Sequence, residues 1–395
     1  MSRLPRQPPH DGPRDAPPVH TSLGMPFRVR SSDAGLAHEV ETLYEACRAA
    51  PGEIPVLEIE IDRERAGFVV RCDGDVAVTG GDSSAALEWC AWKVNQTAIE
   101  HCRQALVLHA AAVMIDGRAV IITGPSGAGK STLVAALTLR GAAYMGDDSL
   151  AADPGFARVR SNPKPVALDD HSQALLRALA PENAALHAGR QLFAPAAIGA
   201  TVPAEQAIEP ALIVQPVCCP GGSASVSELT PGRAAELLAD QAHNFASLGA
   251  HGLRAVAELA RRAPALTLEF DDLDEAEALI RRTTGTRRGR ATTGHTRAGT
   301  ASGRRGDLDF ERIDGETLIW HGRRQELHRL SSTASAIWDA SAASTDANEI
   351  ASTVADRAAA AGQETLADIR RCIRELAELD LVPELRPADA GRSAP

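Results

Sequence analysis

The chain has 395 residues, of which 44% are apolar and 3% aromatic, and a formal net charge of −11. That length exceeds one ordinary domain and predicts two or three, and the scarcity of aromatics predicts cores of Ala, Val, Leu and Ile. The acidic balance argues against a protein built mainly to coat nucleic acid, and no run of about 18 apolar residues is present to cross a bilayer.

Residues 1–22 are rich in Pro and charge and read as a disordered tail, without the apolar stretch of a signal peptide. None of the seven cysteines forms a CxxC pair, so they read as reduced thiols of a cytoplasmic protein. From Phe27 the pattern becomes globular. Val56–Ile61 alternates like a half-buried strand, and Gly67–Arg71 and Val76–Val78 read as a following hairpin. A helix opens near Ser83, capped by Asp82, Ser83 or Ser84. Leu87, Cys90, Ala91, Val94, Ala98 and Ile99 recur along it at helical spacing, and Trp89 and Trp92 read as packing residues.

Two apolar runs, Leu106–Ile115 and Ala119–Thr123, flank Asp116-Gly117. That dipeptide predicts a tight hairpin, because a type I′ turn needs positive φ at both central positions. Gly124-Pro-Ser-Gly-Ala-Gly129-Lys130-Ser131 then matches GxxxxGK[ST], between the strand Val120–Thr123 and a helix over Thr132–Arg140. This context predicts nucleotide binding. Gly124, Pro125, Ser126, Gly127, Ala128, Gly129, Lys130, Ser131 and Thr132 are the candidate cradle for the phosphates of ATP or GTP. Lys130 is expected to reach the β- and γ-phosphates, and Ser131 to ligate Mg²⁺.

A short strand, Ala142–Met145, ends in Asp147-Asp148. At the C-terminal edge of a sheet two carboxylates face the phosphates. One can hold Mg²⁺ with Ser131, Asp147 being the candidate, while the other accepts a proton from an attacking hydroxyl. The sequence does not rank them, and Asp147, Asp148 and Lys130 are all candidate catalytic residues. His109, alone in an apolar strand, reads equally as a core residue and as a site residue.

Further on, Pro210–Gln215 reads as a strand, with helices over Arg233–Gln241 and Glu275–Arg282. Residues 281–306 are Arg, Thr, Gly and Ala with no acid, and read as a flexible cationic linker that tethers the C-terminal domain. Past it come strands at Leu318–Trp320 and Glu326–Leu330 and a helix capped by Ser331-Ser332-Thr333. Two more helices succeed it, Asn348–Ala361 and Glu364–Leu379, with Ile369, Ile373 and Leu376 along one face. A strand pair plus three helices has the size and layout of a winged helix.

At His109, Asp116-Gly117, Gly124–Ser131, Arg140-Gly141 and Asp147-Asp148 the chain resembles the HPr kinase/phosphorylase superfamily, and most closely its HPr kinase-related branch. The resemblance implies an α/β P-loop kinase core of the HPr kinase/phosphoenolpyruvate carboxykinase type over 23–280, with an N-terminal α/β segment at 23–104 and a catalytic core at 105–280. It places His109 close to the phosphates and makes Asp147 or Asp148 the general base. The glycine-rich segment with a Mg²⁺-binding Glu, found in the bifunctional enzymes, is replaced here by Ser161-Asn-Pro-Lys164-Pro-Val-Ala-Leu, which points away from HPr as substrate. Lys164 reads as a phosphate contact or a surface lysine.

Residues 307–385 resemble PqqD, a small α+β winged-helix domain, at His328-Arg329-Leu330, Thr333-Ala334, Ile337-Trp338 and Glu375–Leu379. Residues 386–395 read as a second tail. Together the resemblances imply a cytoplasmic, ATP- and Mg²⁺-dependent kinase acting on a Ser or Thr hydroxyl of a peptide captured by the C-terminal domain, in an oligomer of identical chains. The alternatives are an ATP-gated peptide chaperone and a nucleotide-sensing regulator with a DNA-binding winged helix.

Overall fold

The computed structural model describes residues 17–65, 67–153, 155–187, 191–286, 301–359 and 365–382. The N-terminal part holds β1 His20–Ser22, β2 Met25–Ser31, α1 Ala34–Leu43, β3 Leu57–Glu64, β4 Gly67–Cys72, β5 Asp75–Thr79 and α2 Ser83–His101. The strands form one sheet in chain order, with only β2 and β3 parallel. Asp33 caps α1, accepting from the N–H groups of Gly35 and Leu36, and Asp82 caps α2, accepting from that of Ala85. Leu57, Ile59 and Ile61 alternate inward from β3 onto Leu87, Cys90, Val94 and Ala98 of α2. Residues 20–22, expected within the disordered tail, form β1 instead: His20 and Ser22 are buried, and three ladder pairs join them to β2. Trp89 packs against this core, and Trp92, 56% exposed, lies against Trp89 with ring centroids 6.3 Å apart.

The central part begins with β6 Val107–Leu108, β7 Ala110–Ile115, β8 Arg118–Thr123, α3 Lys130–Leu139, β9 Ala143–Gly146, β10 Leu150–Ala152 and β11 Val159–Arg160. It continues through β12 Val166–Ala167, α4 Asp170–Leu179, β13 Leu192–Phe193, α5 Pro195–Ile198, β14 Ala207–Ile208, β15 Pro210–Cys218 and β16 Ser225–Leu229. α6 Pro231–Asp240, α7 Phe245–Leu248, α8 Ala250–Arg262, β17 Ala265–Phe270 and α9 Leu273–Thr286 complete it. Six strands form the main sheet in the order β16-β17-β15-β8-β7-β9. β8 is parallel to β15 but antiparallel to β7, through a turn in which Asp116 and Gly117 have φ of 52° and 79°. The expected hairpin is therefore present. α3 and α9 cover one face of this sheet, and α6 and α8 the other.

β18 Ser302–Arg305, β19 Leu308–Ile313, β20 Glu316–His321 and β21 Glu326–Leu330 form an antiparallel sheet in chain order, followed by α10 Ser332–Ala340, α11 Ala347–Ala359 and α12 Leu366–Glu378. Four strands replace the strand pair expected from the sequence. Residues 281–286 continue α9 and 302–305 form β18, so both ends of the expected linker are structured. Residues 287–300, like the tail at 386–395, lie outside the described residues.

This sheet is covered on both faces. Ile319 and Leu330 face Ile337, Trp338, Ile350, Ile369, Ile373 and Leu376 of the three helices. Ile313, Leu318 and Trp320 face the other way and join the core built on α6 and α8. Arg261 of α8 reaches Glu311 at 2.8 Å, and Arg329 bridges Glu316 at 2.6 Å and Glu236 of α6 at 3.2 Å. The C-terminal domain is docked on the central part by an apolar face, so a tether alone does not place it.

Candidate active site

The strand ends of β8 and β9 bring together residues from distant parts of the chain, His243 and Asp148 being 95 positions apart. After Thr123 the chain turns through Gly127 and Gly129, with φ of 80° and 84°. Both lie in the left-handed region that glycine enters without penalty. Gly129 occupies the N-cap of α3, so the first-turn amides of that helix point into the loop. Lys130 is 6% exposed, and its Nζ donates to the carbonyls of Gly124 at 2.8 Å and Pro125 at 3.0 Å. Burial pulls its pKa down, opposed by the charges of Asp147 and Asp148. The ammonium is thus stored within the Gly124–Ser131 loop on neutral acceptors. Thr132 Oγ1 lies 2.8 Å from Ser172 Oγ and ties α3 to α4.

The two adjacent aspartates have opposite surroundings. Asp147 is 3% exposed, and burial raises its pKa; Lys164, a hydrogen bond from Ser131 and Lys130 act against that rise. Its Oδ1 is buried with no partner. An unpaired carboxylate oxygen in a dry place is costly, and it belongs to the same carboxyl group that the Ser131 hydroxyl bonds. That pair fits Mg²⁺, which takes few protein oxygens and completes its shell with water and substrate phosphate. Among the described residues no three His, Cys, Asp or Glu gather into a closed metal cage, and a site of this kind does not need one.

Asp148 sits on left-handed backbone, φ 67°. Its Oδ1 is 3.0 Å from His109 Nδ1, and its Oδ2 accepts from Asn95 Nδ2 at 3.1 Å, with Lys164 Nζ at 4.0 Å. The hydrogen bond from His109, with help from Lys164 and against burial, holds its carboxyl far below the usual range. His109 therefore lies in this charged cluster rather than among apolar core neighbours. Lys164 keeps only 14% of its side chain exposed and faces both carboxylates, unlike a surface lysine.

Two further residues, Asn95 and His243, were not found from the sequence. His243 Nε2 is 3.3 Å from the Asp148 carbonyl oxygen, its ring meets that of His109 edge-on at 5.6 Å, and burial lowers its pKa. It lies in a connection, where no periodicity marks it. Asn95 comes after Val94 on the inward side of α2, and a polar residue in that buried stripe was its only signal.

Cavities of about 590 Å³, beside Arg305, His321 and Arg323, and about 390 Å³, between α1 and α5, both lie away from this cluster. The converging charges, rather than the open volume, mark the place where chemistry can occur.

No curated protein matches the chain. Among solved structures, the HPr(Ser) kinase/phosphatase from Coxiella burnetii is similar at 16% identity and a TM-score of 0.24, covering 47% of this chain and 97% of that one. Residues 316–382, from the first residue of β20 to just beyond α12, match the family described as Coenzyme PQQ synthesis protein D (PqqD).

Proposed function

We propose that the protein is an ATP- and Mg²⁺-dependent kinase that phosphorylates a Ser or Thr hydroxyl on a peptide held by its C-terminal domain. One observation carries this reading: two adjacent carboxylates, split by their surroundings into a buried one with an unpaired oxygen and an ionised one bonded to His109, face Lys130 and Ser131. Groups whose environments separate them in this way divide the labour of a reaction.

The first-turn amides of α3 and the Gly124–Ser131 loop hold the phosphates, and Lys130 leaves its loop carbonyls to pair with them. Ser131 and Asp147 hold Mg²⁺, which neutralises charge on the transferred phosphoryl group when bound. Asp148 and His109 orient the acceptor hydroxyl and take its proton as a coupled pair, so neither is the base by itself. Lys164 balances the negative charge on that side of the site.

The peptide is supplied by the edge of the C-terminal sheet. Among the described strands β18 pairs only with β19 and β21 only with β20, and the β21 edge is the one we assign to an added strand. Because the domain is docked, the peptide is presented from a fixed direction, which raises the effective concentration of its hydroxyl. The test is incubation of the full chain with Mg-ATP and a library of short Ser- and Thr-containing peptides, to which any precursor peptide encoded beside its gene is added. A mass gain of one phosphate, lost in Lys130→Ala, is expected. Nucleotide turnover with no mass gain would instead favour an ATP-gated peptide chaperone.

A further inference from the structure

A file of buried polar side chains runs from the N-terminal part to the site. Ser22 Oγ donates to Asn162 Oδ1 at 3.0 Å, and Asn162 Nδ2 donates to Ser149 Oγ at 2.9 Å. Ser149 Oγ donates to Asn95 Oδ1 at 2.6 Å, and Asn95 Nδ2 donates to Asp148 Oδ2 at 3.1 Å. Every hydrogen points the same way, toward the carboxylate. The four side chains come from β1, α2, the turn after β9 and the segment beyond β11, and none is more than 6% exposed. That segment passes so close that a Cβ on Gly146 would lie 2.8 Å from the Asn162 carbonyl oxygen.

Buried polar groups add little net stability over apolar packing and become costly when one link is missing. What a complete file supplies is geometry. The Asn95 amide cannot flip, because that would turn its oxygen toward the Asp148 carboxylate. Asp148, on left-handed backbone, is therefore gripped on one oxygen by Asn95 and on the other by His109.

We infer that Asn95 is a positioning residue for phosphoryl transfer: it sets the Asp148 carboxylate against His109, and the buried file from Ser22 fixes Asn95 in turn. This rests on the kinase reading above, and it makes the N-terminal part a component of the active site.

The test uses the full chain as Asn95→Ala, Asp148→Asn and the double variant, with Mg-ATP hydrolysis (water standing in for the acceptor) and peptide phosphorylation as rates. Asn95→Ala is expected to lower kcat roughly 10- to 100-fold, with KM for Mg-ATP within about twofold. It is expected to cost nothing further in the Asp148→Asn background, since it acts only through that carboxylate. Equal losses in both backgrounds, or a change confined to KM, would overturn the inference. A second readout needs no turnover: the His109 Nδ1–H proton resonance is expected to shift or broaden in Asn95→Ala, and an unchanged resonance would overturn the inference. If wild type neither hydrolyses ATP nor phosphorylates peptide, the kinase reading fails, and this resonance alone decides whether Asn95 places Asp148. Should Asn95→Ala not fold, the isosteric Asn95→Asp, which sets an acceptor against Asp148, is read in the same ways.

Discussion

The ring of Phe245 meets that of Trp320 edge-on, with centroids 5.1 Å apart and planes at 87°. One residue belongs to the central part and the other to the C-terminal sheet. Phe245 ends a short stretch that also touches the site, where the Gln241 carbonyl accepts from His109 N at 2.6 Å and His243 lies beside Asp148. The exit from α6 therefore bears on His109 and Asp148 at one end and on the C-terminal domain at the other.

Trp320 is 4% exposed within the shared core. Trp320→Ala is expected to destabilise the chain by about 3–5 kcal/mol, the range for deleting a large buried aromatic. Urea unfolding should show the midpoint falling. It should also show two transitions in place of one if the apolar face is what makes the two parts melt together. A single transition at the wild-type midpoint would mean that Trp320 contributes nothing to the docking.

The aspartates are expected to fail differently. Asp147→Asn removes a charge from the oxygens offered to Mg²⁺, so its rate should recover partly at raised Mg²⁺. Asp148→Asn leaves Ser131 and Asp147 in place, so kcat should fall by roughly 100-fold or more, at an unchanged Mg²⁺ requirement. Initial rates across a Mg²⁺ titration separate the two outcomes. Matching Mg²⁺ curves for both variants would remove the division of roles.

Lys130 rests on the carbonyls of Gly124 and Pro125. Burial disfavours this ammonium on balance, which offsets the loss of its two hydrogen bonds, so Lys130→Ala should fold with little change in melting temperature. Mg-ATP at about 100 times its Kd should stabilise wild type by about 2.7 kcal/mol, and Lys130→Ala by much less. Thermal melts with and without Mg-ATP read this directly. An equal shift in both proteins would deny Lys130 a phosphate contact.

Features written in contiguous residues were legible before the fold was known. The Asp116-Gly117 hairpin, the Gly124–Ser131 loop and the capped helix after Ser331 each declare themselves within a dozen residues, because turn geometry and capping are local. The orientation of Ile369, Ile373 and Leu376 comes from helical spacing for the same reason. What escaped depends on distant partners. β1 is three residues long and exists through pairing with β2. Trp320 reads as an ordinary inward strand residue, and only the docked α6 and α8 explain why β20 is buried on both faces. The distinction between Asp147 and Asp148 could not be read from two identical letters; it comes from Ser131 on one side and from His109 and Asn95 on the other.

His20 supplies a pH dependence that reaches the site. Its ring is buried against Phe27 and Tyr44, both ring nitrogens lack partners, and burial with nearby Arg48 lowers its pKa from 6.5 to about 4. The unfolded chain takes up this proton first as pH falls. The neutral ring's contribution is thus complete above pH 6.5 and is lost progressively down to about pH 4. At 1.36 kcal/mol per unit the loss is on the order of 3 kcal/mol. His20→Phe should remove that part of the slope, so the stability difference between wild type and variant should shift in favour of the variant as the buffer goes from pH 7 to pH 4.5. A difference that stays constant would mean that His20 titrates normally. His20 also begins the strand that ends in Ser22, the first donor of the file leading to Asp148. Acid that loosens β1 should therefore depress kcat before it unfolds the chain, and His20→Phe should move that loss to lower pH.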